Sequence, residues 1–337
     1  MKKLVVAVLM GGPSSEHDIS IESGENVVAS LDKDKYDVRP VVIGRDRKWA
    51  LDGGDPVGLD VAARYLSEQI DIVFVALHGP FGEDGRVQGF LDMLGVPYTG
   101  SGVCASSLAM DKALCKSVVS EHGIAVPDQL FVTADLWQED RNEILDMVED
   151  NFDYPCIVKP VNQGSSVAMD IPSDRSGLTD AISYTLSMFP SVLVEEFIDG
   201  TEVTCAVLGS AETNSVRPLP VTEIVPLSNT YFDYDSKYTE GGADEIVPAR
   251  LEPELTQCVQ DIAISVHITL HCKNMSRSDM IIADGDVYFI EINTIPGMTR
   301  MSLYPKAAEA HGIKFPELLD MIIEDALSVH AAQTRSG

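Results

Sequence analysis

The sequence is poor in positive charge. It carries 24 lysines and arginines against 53 aspartates and glutamates, which gives a formal net charge of −29 over 337 residues. Such a surface repels nucleic-acid phosphates and anionic lipids, so the composition argues against general binding to nucleic acids or membranes. A ligand that carries phosphate would need a local cluster of lysines, arginines or bound metal ions within this acidic background.

Cysteine is also scarce, and long apolar runs are missing. The six cysteines contain no C-x-x-C pair, which favours reduced core thiols over disulfides or a zinc site. No stretch approaches the ~20 apolar residues of a membrane span. The apolar run that opens the chain ends at Met10 without a small-x-small cleavage site, which favours a buried strand over a signal peptide. We therefore expect a cytoplasmic protein of two or three compact units, at roughly 150 residues per domain.

Apolar strands alternate with helical segments near the N-terminus. Strands are predicted over 4–10, 38–44 and 71–79, with a helix over 14–31. This alternation is typical of a parallel α/β layer, in which ligands gather beyond the carboxyl ends of the strands. The segments from Gly11 to Glu16 and from His78 to Gly85 lie at such ends.

The remaining two thirds of the chain mix helices with shorter strands. Periodicity predicts helices over 84–94, about 104–122 and about 253–270. Strands are predicted over 154–160, in a hairpin-like pair over 191–200 and 201–209, and in a final hairpin from Arg277 to Asn293. The polar segment 228–248 has no periodicity and is interpreted as a long functional loop.

The final hairpin carries a candidate metal site. Because side chains alternate along a strand, Glu291 and Asn293 share one face. A three-residue loop over 284–286 would pair Asp279 with Glu291 and bring Arg277 to the same surface, whereas a two-residue loop would set Asp279 against Ile290. Oxygen ligands of this kind suit Mg²⁺. A solvated polar strand face is the alternative, and the Thr-x-Pro-Gly turn that follows favours the metal site.

Two lysines, Lys112 and Lys159, and two glutamates are candidates for a nucleotide site. Lys112 and Lys116 lie four residues apart on one helix face. Lys159 precedes the turn GSSV (164–167), whose backbone N–H groups could cover phosphate oxygens. Glu195 and Glu202 could accept hydrogen bonds from an adenine amino group and a ribose hydroxyl. Each residue taken alone is more commonly just an exposed charge.

Several ordered motifs carry a family resemblance. They are GGPSSEHDIS (11–20), HGPFGEDG (78–85), MDK (110–112), KPVNQGSSV (159–167), VEEFIDGTEVT (194–204), TYFDYDSKY (230–238) and the run from Arg277 to Thr299. Through them the chain resembles the D-alanine–D-alanine ligases, which are ATP-grasp carboxylate–amine ligases, over essentially its whole length. The resemblance implies an α/β fold with an N-terminal parallel sub-domain (1–102) and central (103–199) and C-terminal (200–337) α+β sub-domains.

The resemblance also implies an activity and roles for individual residues. ATP would activate one D-alanine as an acyl phosphate, and a second D-alanine would attack it, giving D-alanyl-D-alanine for peptidoglycan precursors. The implied contacts to ATP are Lys112, Lys159, Glu195, Glu196, Ile198, Glu202 and Lys237. The implied ligands of two Mg²⁺ ions, with Mn²⁺ as an alternative, are Asp279, Glu291 and Asn293. A homodimer is implied as well.

The substrate-binding residues follow from the same motifs. Glu16 would hold the ammonium group of the first D-alanine, with His78 nearby, and would form a hydrogen-bonded triad with Ser165 and Tyr238. The implied groups at the oxyanion and at the second D-alanine are Arg277, Gly297, Ser302 and Leu303. Tyr238 in the DSKY motif is typical of the ligases that accept an amine rather than D-lactate.

The chain departs from the family pattern at a few positions. His271, Asn274 and Ala168 stand where glycines are usual, so a backbone with positive φ would strain His271 and Ala168 more than Asn274. Glu196 replaces a frequent lysine, and Met301 replaces a frequent histidine at the second-substrate site.

Three other functions are alternatives to the ligase. The segment GSSVA (164–168) resembles a serine-hydrolase elbow without its last glycine, and GSGVCA (100–105) weakly resembles a dinucleotide-binding turn. A non-catalytic nucleotide-binding module is the third alternative, and three candidate metal ligands argue against it. Release of ADP that depends on D-alanine would separate the ligase from all three.

Overall fold

The computed structural model describes residues 2–164, 168–226 and 243–336. The site residues Ser165, Lys237 and Tyr238, which the sequence motifs implied, lie outside the described residues, as does most of the segment 228–248. Three sheets with flanking helices make up the described part, in agreement with the expected mixed α/β class. None of its helices combines the length and the apolar character that a membrane crossing requires.

The first sheet has the order β3-β2-β1-β4 and is parallel except for β3. Its strands are β1 (Leu4–Gly11), β2 (Tyr36–Ile43), β3 (Trp49–Leu51) and β4 (Ile72–Val75), and its helices are α1 (His17–Ser30), α2 (Leu59–Gln69) and α3 (Arg86–Leu94). The parallel layer that the sequence predicts is therefore present, although β4 ends at Val75. The segment from His78 to Gly85 follows β4 as an irregular loop.

The second sheet is antiparallel, with the order β5-β7-β6. The elements of this region are α4 (Val103–Met110), α5 (Lys112–Glu121), β5 (Gln129–Thr133), α6 (Ala134–Glu139), α7 (Arg141–Asn151), β6 (Cys156–Pro160), α8 (Arg175–Met188) and β7 (Ser191–Glu196). The single helix predicted over 104–122 is wrong, because Asp111 breaks it. The side chain of Asp111 accepts a hydrogen bond from the Leu114 N–H at 3.0 Å and begins α5 as its N-cap.

The third sheet is also antiparallel, with the order β11-β10-β8-β12-β13 and β9 beside β8. Its strands are β8 (Thr201–Leu208), β9 (Arg217–Pro218), β10 (Thr222–Pro226), β11 (Ala243–Ile246), β12 (Met275–Ala283) and β13 (Asp286–Asn293). The helices of this part are α9 (Pro253–Thr269), α10 (Leu303–Ala310) and α11 (Phe315–Ser336), and a 3₁₀ turn spans Ala211–Thr213.

The hairpin predicted over 191–209 is wrong. The two segments form strands, but β7 is the middle strand of the second sheet and β8 lies inside the third sheet. Both strands are apolar and are separated by only four residues, so the sequence pattern identifies them as strands without revealing their partners. The connector instead carries the chain from one sheet to the other. A Cβ on Gly200 would lie 2.2 Å from the Ile282 carbonyl oxygen, so this crossing is pressed against the end of β12.

The final hairpin forms as predicted, but with a shorter turn. Asp284 and Gly285 both have positive φ, at 53° and 91°, and Ala283 pairs with Asp286, so the three-residue loop is wrong. A two-residue turn with two positive φ values favours Asp-Gly. Farther along, a β-bulge shifts the register, because Met280 pairs with Phe289 whereas Asp279 pairs with Glu291.

The bulge has a direct consequence for the candidate metal site. It inserts Ile290 as an unpaired residue and thereby compensates for the shorter turn. Asp279 and Glu291 therefore face each other, as the sequence predicts. The cause is a two-residue turn followed by a bulge, and not a three-residue loop. Ile292 is buried in an apolar cluster, whereas Ile290 at the bulge is only half-buried.

The last helix returns to the first sheet. Apolar residues of α11, among them Leu318, Leu319, Ile322 and Ile323, belong to the same buried cluster as Val8 of β1. The Asp325 carboxylate accepts hydrogen bonds from Ser210, from Thr213 and, at 2.7 Å, from Asn274 Nδ2. The end of the chain thus ties the first sheet to the loop that leads into β12.

The three positions at which the resemblance leads us to expect glycine have left-handed backbones. The φ angles are 55° at Ala168, 56° at His271 and 59° at Asn274. His271 is exposed, whereas Asn274 is buried and its Oδ1 accepts a hydrogen bond from the Gly100 N–H at 2.7 Å. Side-chain contacts of Asn274 therefore compensate for the strain of its left-handed backbone. The side chain of His271 projects into solvent, so the same strain is not compensated there in this way.

This contrast predicts opposite effects for two glycine substitutions. His271→Gly relieves a left-handed backbone that costs about 1–2 kcal/mol, against about 0.4–1 kcal/mol of added entropy in the unfolded chain, so we expect a net gain near 0.5–1 kcal/mol. Asn274→Gly removes the bonds to Gly100 and Asp325 and should destabilise the protein. Urea unfolding of both variants measures this, and a destabilised His271→Gly variant would contradict it.

Candidate active site

One face of the β12–β13 hairpin brings together four of the predicted site residues, Arg277, Asp279, Glu291 and Asn293. Arg277 donates from Nε to Asp279 Oδ1 and from Nη2 to Asp279 Oδ2, both at 3.0 Å. Asn293 Nδ2 lies 3.4 Å from Asp279 Oδ2, and Thr204 on β8 donates to Asp279 Oδ1 at 2.6 Å. The carboxylate of Asp279 is therefore held in one orientation beside Glu291.

Lys112 connects α5 to this hairpin. Its Nζ lies 3.0 Å from Glu291 Oε2 and donates to the Gln163 carbonyl at 2.9 Å. Burial would lower the pKa of Lys112, but the adjacent Glu291 carboxylate outweighs burial and raises it. The lysine therefore stays charged at the point where α5, β13 and the segment before Gly164 meet.

A second group of charges lies between α5 and the second sheet. Glu195 on β7 is 1% exposed, and its Oε2 lies 2.7 Å from Lys159 Nζ. Its Oε1 accepts a hydrogen bond from Lys116, which is fully buried. Burial alone would raise the pKa of Glu195, but the two ammonium groups hold it below its ordinary value.

The other residues implied at the nucleotide lie where the chain crosses between sheets. Glu196 ends β7 and its Oε2 accepts a hydrogen bond from the Asp128 N–H at 3.4 Å. Ile198 lies in the connector, and Glu202 is the second residue of β8. The run from Glu195 to Glu202 thus ends β7, crosses from the second sheet to the third and begins β8.

Glu16 lies just before α1 and is 7% exposed. A Cβ on Gly79 would lie 2.1 Å from Glu16 Oε2, and a Cβ on Gly164 would lie 3.1 Å from the same atom. A larger residue at Gly79 would displace the carboxylate, so glycine there permits close approach. The glycines bring two loops from different parts of the chain to Glu16, and Gly164 immediately precedes the predicted site residue Ser165.

His78 is linked to the loop that contains Gly297. Its Nε2 lies 2.9 Å from the Ser23 hydroxyl, which also accepts a hydrogen bond from the Met298 N–H at 3.2 Å. Burial, together with the positive charge of Arg277, lowers the pKa of His78 to about 4, despite a hydrogen bond with the backbone of Ile295 that opposes this. The imidazole is therefore neutral near pH 7.

The loop after β13 holds the residues implied at the second substrate. A Cβ on Gly297 would lie 2.7 Å from the Ser302 hydroxyl oxygen, so the two are adjacent. Ser302 Oγ also accepts a hydrogen bond from the Thr299 N–H at 3.0 Å. Leu303 begins α10 directly after it, and Met301 is 61% exposed beside them.

Glu83 is a site residue that the sequence reasoning missed. Its Oε2 accepts a hydrogen bond from the Gly79 N–H at 2.7 Å, and its Oε1 accepts one from the Ile295 N–H at 3.1 Å. Burial and the nearby Glu16 raise its pKa to about 8, against the opposing effects of these bonds and of Arg277. The motif HGPFGEDG contains Glu83, but spacing alone does not reveal that it joins two loops.

The donor set on the hairpin fits Mg²⁺. Asp279, Glu291 and Asn293 supply two carboxylates and a carboxamide, which are hard oxygen donors. In the described ranges, no group of three or more His, Cys, Asp or Glu side chains is arranged to hold a metal ion, and the candidate set has only two carboxylates. This suits an ion that completes its coordination with substrate oxygens and water. Arg277 and Lys112 balance the two carboxylate charges in the structure.

Comparisons with known proteins agree with this geometry. A model of the D-ala D-ala ligase N-terminus matches residues 5–101, and a model of the D-ala D-ala ligase C-terminus matches residues 118–324. A D-alanine--D-alanine ligase from Chlorobium phaeovibrioides is 40% identical over 357 residues, which cover 97% of this chain and 98% of that protein.

Solved structures extend the similarity to the fold. The D-alanine--D-alanine ligase from Bacillus anthracis complexed with ATP is 33% identical with a TM-score of 0.80, covering 99% of this chain and 100% of that one. The VanG D-Ala:D-Ser ligase from Enterococcus faecalis is 32% identical with a TM-score of 0.84, covering 96% and 100%. These matches confirm the α/β, ATP-grasp fold that the sequence motifs implied.

The raised pKa of Glu83 predicts a pH dependence of stability. The folded protein keeps the Glu83 proton up to about pH 8, whereas the unfolded chain releases it near its ordinary pKa of 4.5. The contribution of Glu83 to the free energy of unfolding therefore falls as pH rises through this window. Glu83→Gln cannot release a proton, so its stability should fall less between about pH 5 and about pH 8.

Urea unfolding at several pH values measures the slope, and Glu121→Gln, which alters an exposed carboxylate on α5, is the matched control. A Glu83→Gln variant with the same pH slope as the parent and the control would contradict this prediction.

Proposed function

Because the chain belongs to the D-alanine–D-alanine ligase family, we propose that its candidate active site joins two D-alanine molecules in an ATP-dependent reaction that makes D-alanyl-D-alanine for peptidoglycan precursors. The observation that supports this most directly is the convergence of Glu16, the Arg277–Asp279 pair and the Lys112–Glu291 pair where the three sheets meet. Among the described residues, the two buried lysines, Lys116 and Lys159, pair with Glu195, which also acts on the charge of Lys112.

ATP would lie between the second and third sheets. Lys112, which is paired with Glu291 on the hairpin, and Lys159, which is paired with Glu195, would contact its phosphates. Glu195 would receive the adenine amino group and Glu202 the ribose hydroxyls. The further contacts in this proposal are Glu196, Ile198 and Lys237.

The first D-alanine would bind at Glu16. A buried carboxylate is a strong partner for an ammonium group. His78 is neutral and would therefore donate or accept a hydrogen bond without repelling that ammonium. Ser165 and Tyr238 would complete the hydrogen-bonded triad with Glu16.

Asp279, Glu291 and Asn293 would hold two Mg²⁺ ions, or Mn²⁺ ions in their place. When bound, such ions neutralise phosphate charge during transfer of the γ-phosphoryl group. Arg277 and Lys112 already neutralise these carboxylates and would supply positive charge to the substrate phosphates.

The reaction follows from the substrate chemistry. A carboxylate oxygen of the first D-alanine attacks the γ-phosphorus and ADP leaves, which gives an acyl phosphate. The amine of the second D-alanine then attacks the acyl carbon, phosphate departs with the carboxylate oxygen, and the nitrogen loses a proton. The backbone at Gly297 and the Arg277 guanidinium would stabilise the tetrahedral oxyanion. Ser302 and Leu303 would position the second D-alanine, and the segment 228–248 would exclude water.

The proposal extends to organisation and location. The three sub-domains would divide at residues 102 and 199, and the working form would be a homodimer in the cytoplasm. Its partners would be D-alanine and ATP, without nucleic acid or membrane.

A substrate panel tests the function. ADP release should require ATP, Mg²⁺ and D-alanine together, and the D-alanyl-D-alanine formed should equal the ADP released. L-Alanine should give neither product. D-Serine and D-lactate belong in the panel because a D-Ala:D-Ser ligase is among the structural relatives. Ester hydrolysis without ATP, or ADP release that does not depend on D-alanine, would overturn the proposal.

Removing one candidate metal ligand should change the metal requirement. Asp279→Asn should raise the Mg²⁺ concentration for half-maximal activity at least about tenfold, the lower limit for losing even an outer partner of a metal site. Asp286→Asn alters an exposed residue at the other end of β13 and serves as the control. Equal Mg²⁺ titrations for both variants would remove Asp279 from the metal site.

A further inference from the structure

Lys116 is a buried cation to which the proposed mechanism gives no role. It lies on α5, one turn beyond Lys112, and its relative exposure is 0%. A fully buried ammonium group is costly unless a charge pairs with it. Burial lowers the pKa of Lys116 to about 8, although the carboxylate of Glu195 opposes this. The energetic cost of burying the Lys116 ammonium group must therefore be offset by its contacts.

The contacts of Glu195 offset that cost. Lys116 binds Oε1 and Lys159 binds Oε2, so the carboxylate is held from both sides. Each carboxylate oxygen has two lone pairs and therefore retains capacity for another donor. Two-sided anchoring fixes the plane of the carboxylate, and hence the direction in which its remaining lone pairs point.

Lys116 also determines the net charge of the region around Glu195 and Glu291. The two groups described above contain three lysines (Lys112, Lys116 and Lys159) and two carboxylates (Glu195 and Glu291), which leaves an excess of one positive charge. Without Lys116 the excess disappears, and Glu195 would pair with Lys159 alone. The attraction between a carboxylate and one ammonium group is stronger when no second cation competes for the carboxylate.

We propose that Lys116 is a positioning residue of the nucleotide site, which orients Glu195 toward the nucleobase and keeps Lys159 available to the phosphates. The inference rests on the proposed function, in which Glu195 and Lys159 contact ATP. Lys116 acts through these two residues, because its ammonium group is bound to Glu195 Oε1.

The test is a double-mutant cycle with steady-state kinetics. Lys116→Met removes the charge while filling similar space, and Glu195→Gln removes the carboxylate that Lys116 orients. In the parent background, Lys116→Met should raise the KM for ATP about tenfold, with the KM for D-alanine unchanged, and should lower the preference for ATP over GTP. In the Glu195→Gln background, the same substitution should change the KM for ATP less than about twofold.

A lysine outside the site provides the control. Lys35→Met breaks a surface ion pair with Asp320 and should leave the KM for ATP unchanged. If Lys116→Met lowers only the melting temperature and the KM for ATP stays the same, Lys116 is merely structural and the inference is overturned. Equal effects of Lys116→Met in both backgrounds would also overturn it.

The cycle remains decisive if Lys116→Met alone does not fold. The double variant replaces the Lys116–Glu195 pair by two neutral side chains and leaves Lys159 as the one uncompensated charge of this group, whereas Glu195→Gln alone leaves two such lysines. The KM of the double variant for ATP should then match that of Glu195→Gln, and a severalfold difference would contradict the inference. Absence of ATP-dependent ligation by the parent protein would instead overturn the proposed function.

Discussion

The pairing of Asp279, Glu291 and Glu195 with nearby cations is the interaction on which this site depends. A chain with a net charge of −29 offers no long-range attraction to a polyanionic nucleotide. The site overcomes this locally, because Arg277 neutralises Asp279, Lys112 neutralises Glu291, and two lysines share Glu195. A negative ligand would therefore meet a region in which these carboxylate charges are already compensated.

These pairs also connect elements that are distant in sequence. Lys112 joins α5 to β13, and Lys159 and Lys116 join β6 and α5 to β7. Glu83 makes a similar connection without a cation, since its carboxyl group holds the loop after β4 to the loop after β13. The geometry of the site is thus a property of all three sheets together, and it would be lost if any one of them moved by the length of a hydrogen bond.

The sequence predicted the identity of most strands and the motifs of the site, because both follow from local patterns. It did not predict which strands pair, since β7 and β8 are equally apolar and only the packing of whole sheets decides their partners. The β-bulge at Ile290 was also beyond local reasoning, although Asp284-Gly285 is a strong signal for the two-residue turn that makes the bulge necessary. Lys116 and Glu83 were missed because a buried charge looks like an exposed one until its partner, which is distant in sequence, is known.

The position of Arg277 in the site is determined by contacts that lie far from the site. Three residues before Arg277, Asn274 adopts a left-handed backbone and binds both Gly100 and Asp325 of α11. Helix α11 is in turn packed into the core of the first sheet through Leu318 and Ile322. The start of β12 is therefore fixed by the last helix of the chain, and β12 carries the Arg277–Asp279 pair. A helix that contributes no side chain to the proposed chemistry thus holds the strand that does, through an asparagine whose two hydrogen-bonding groups bind Gly100 and Asp325.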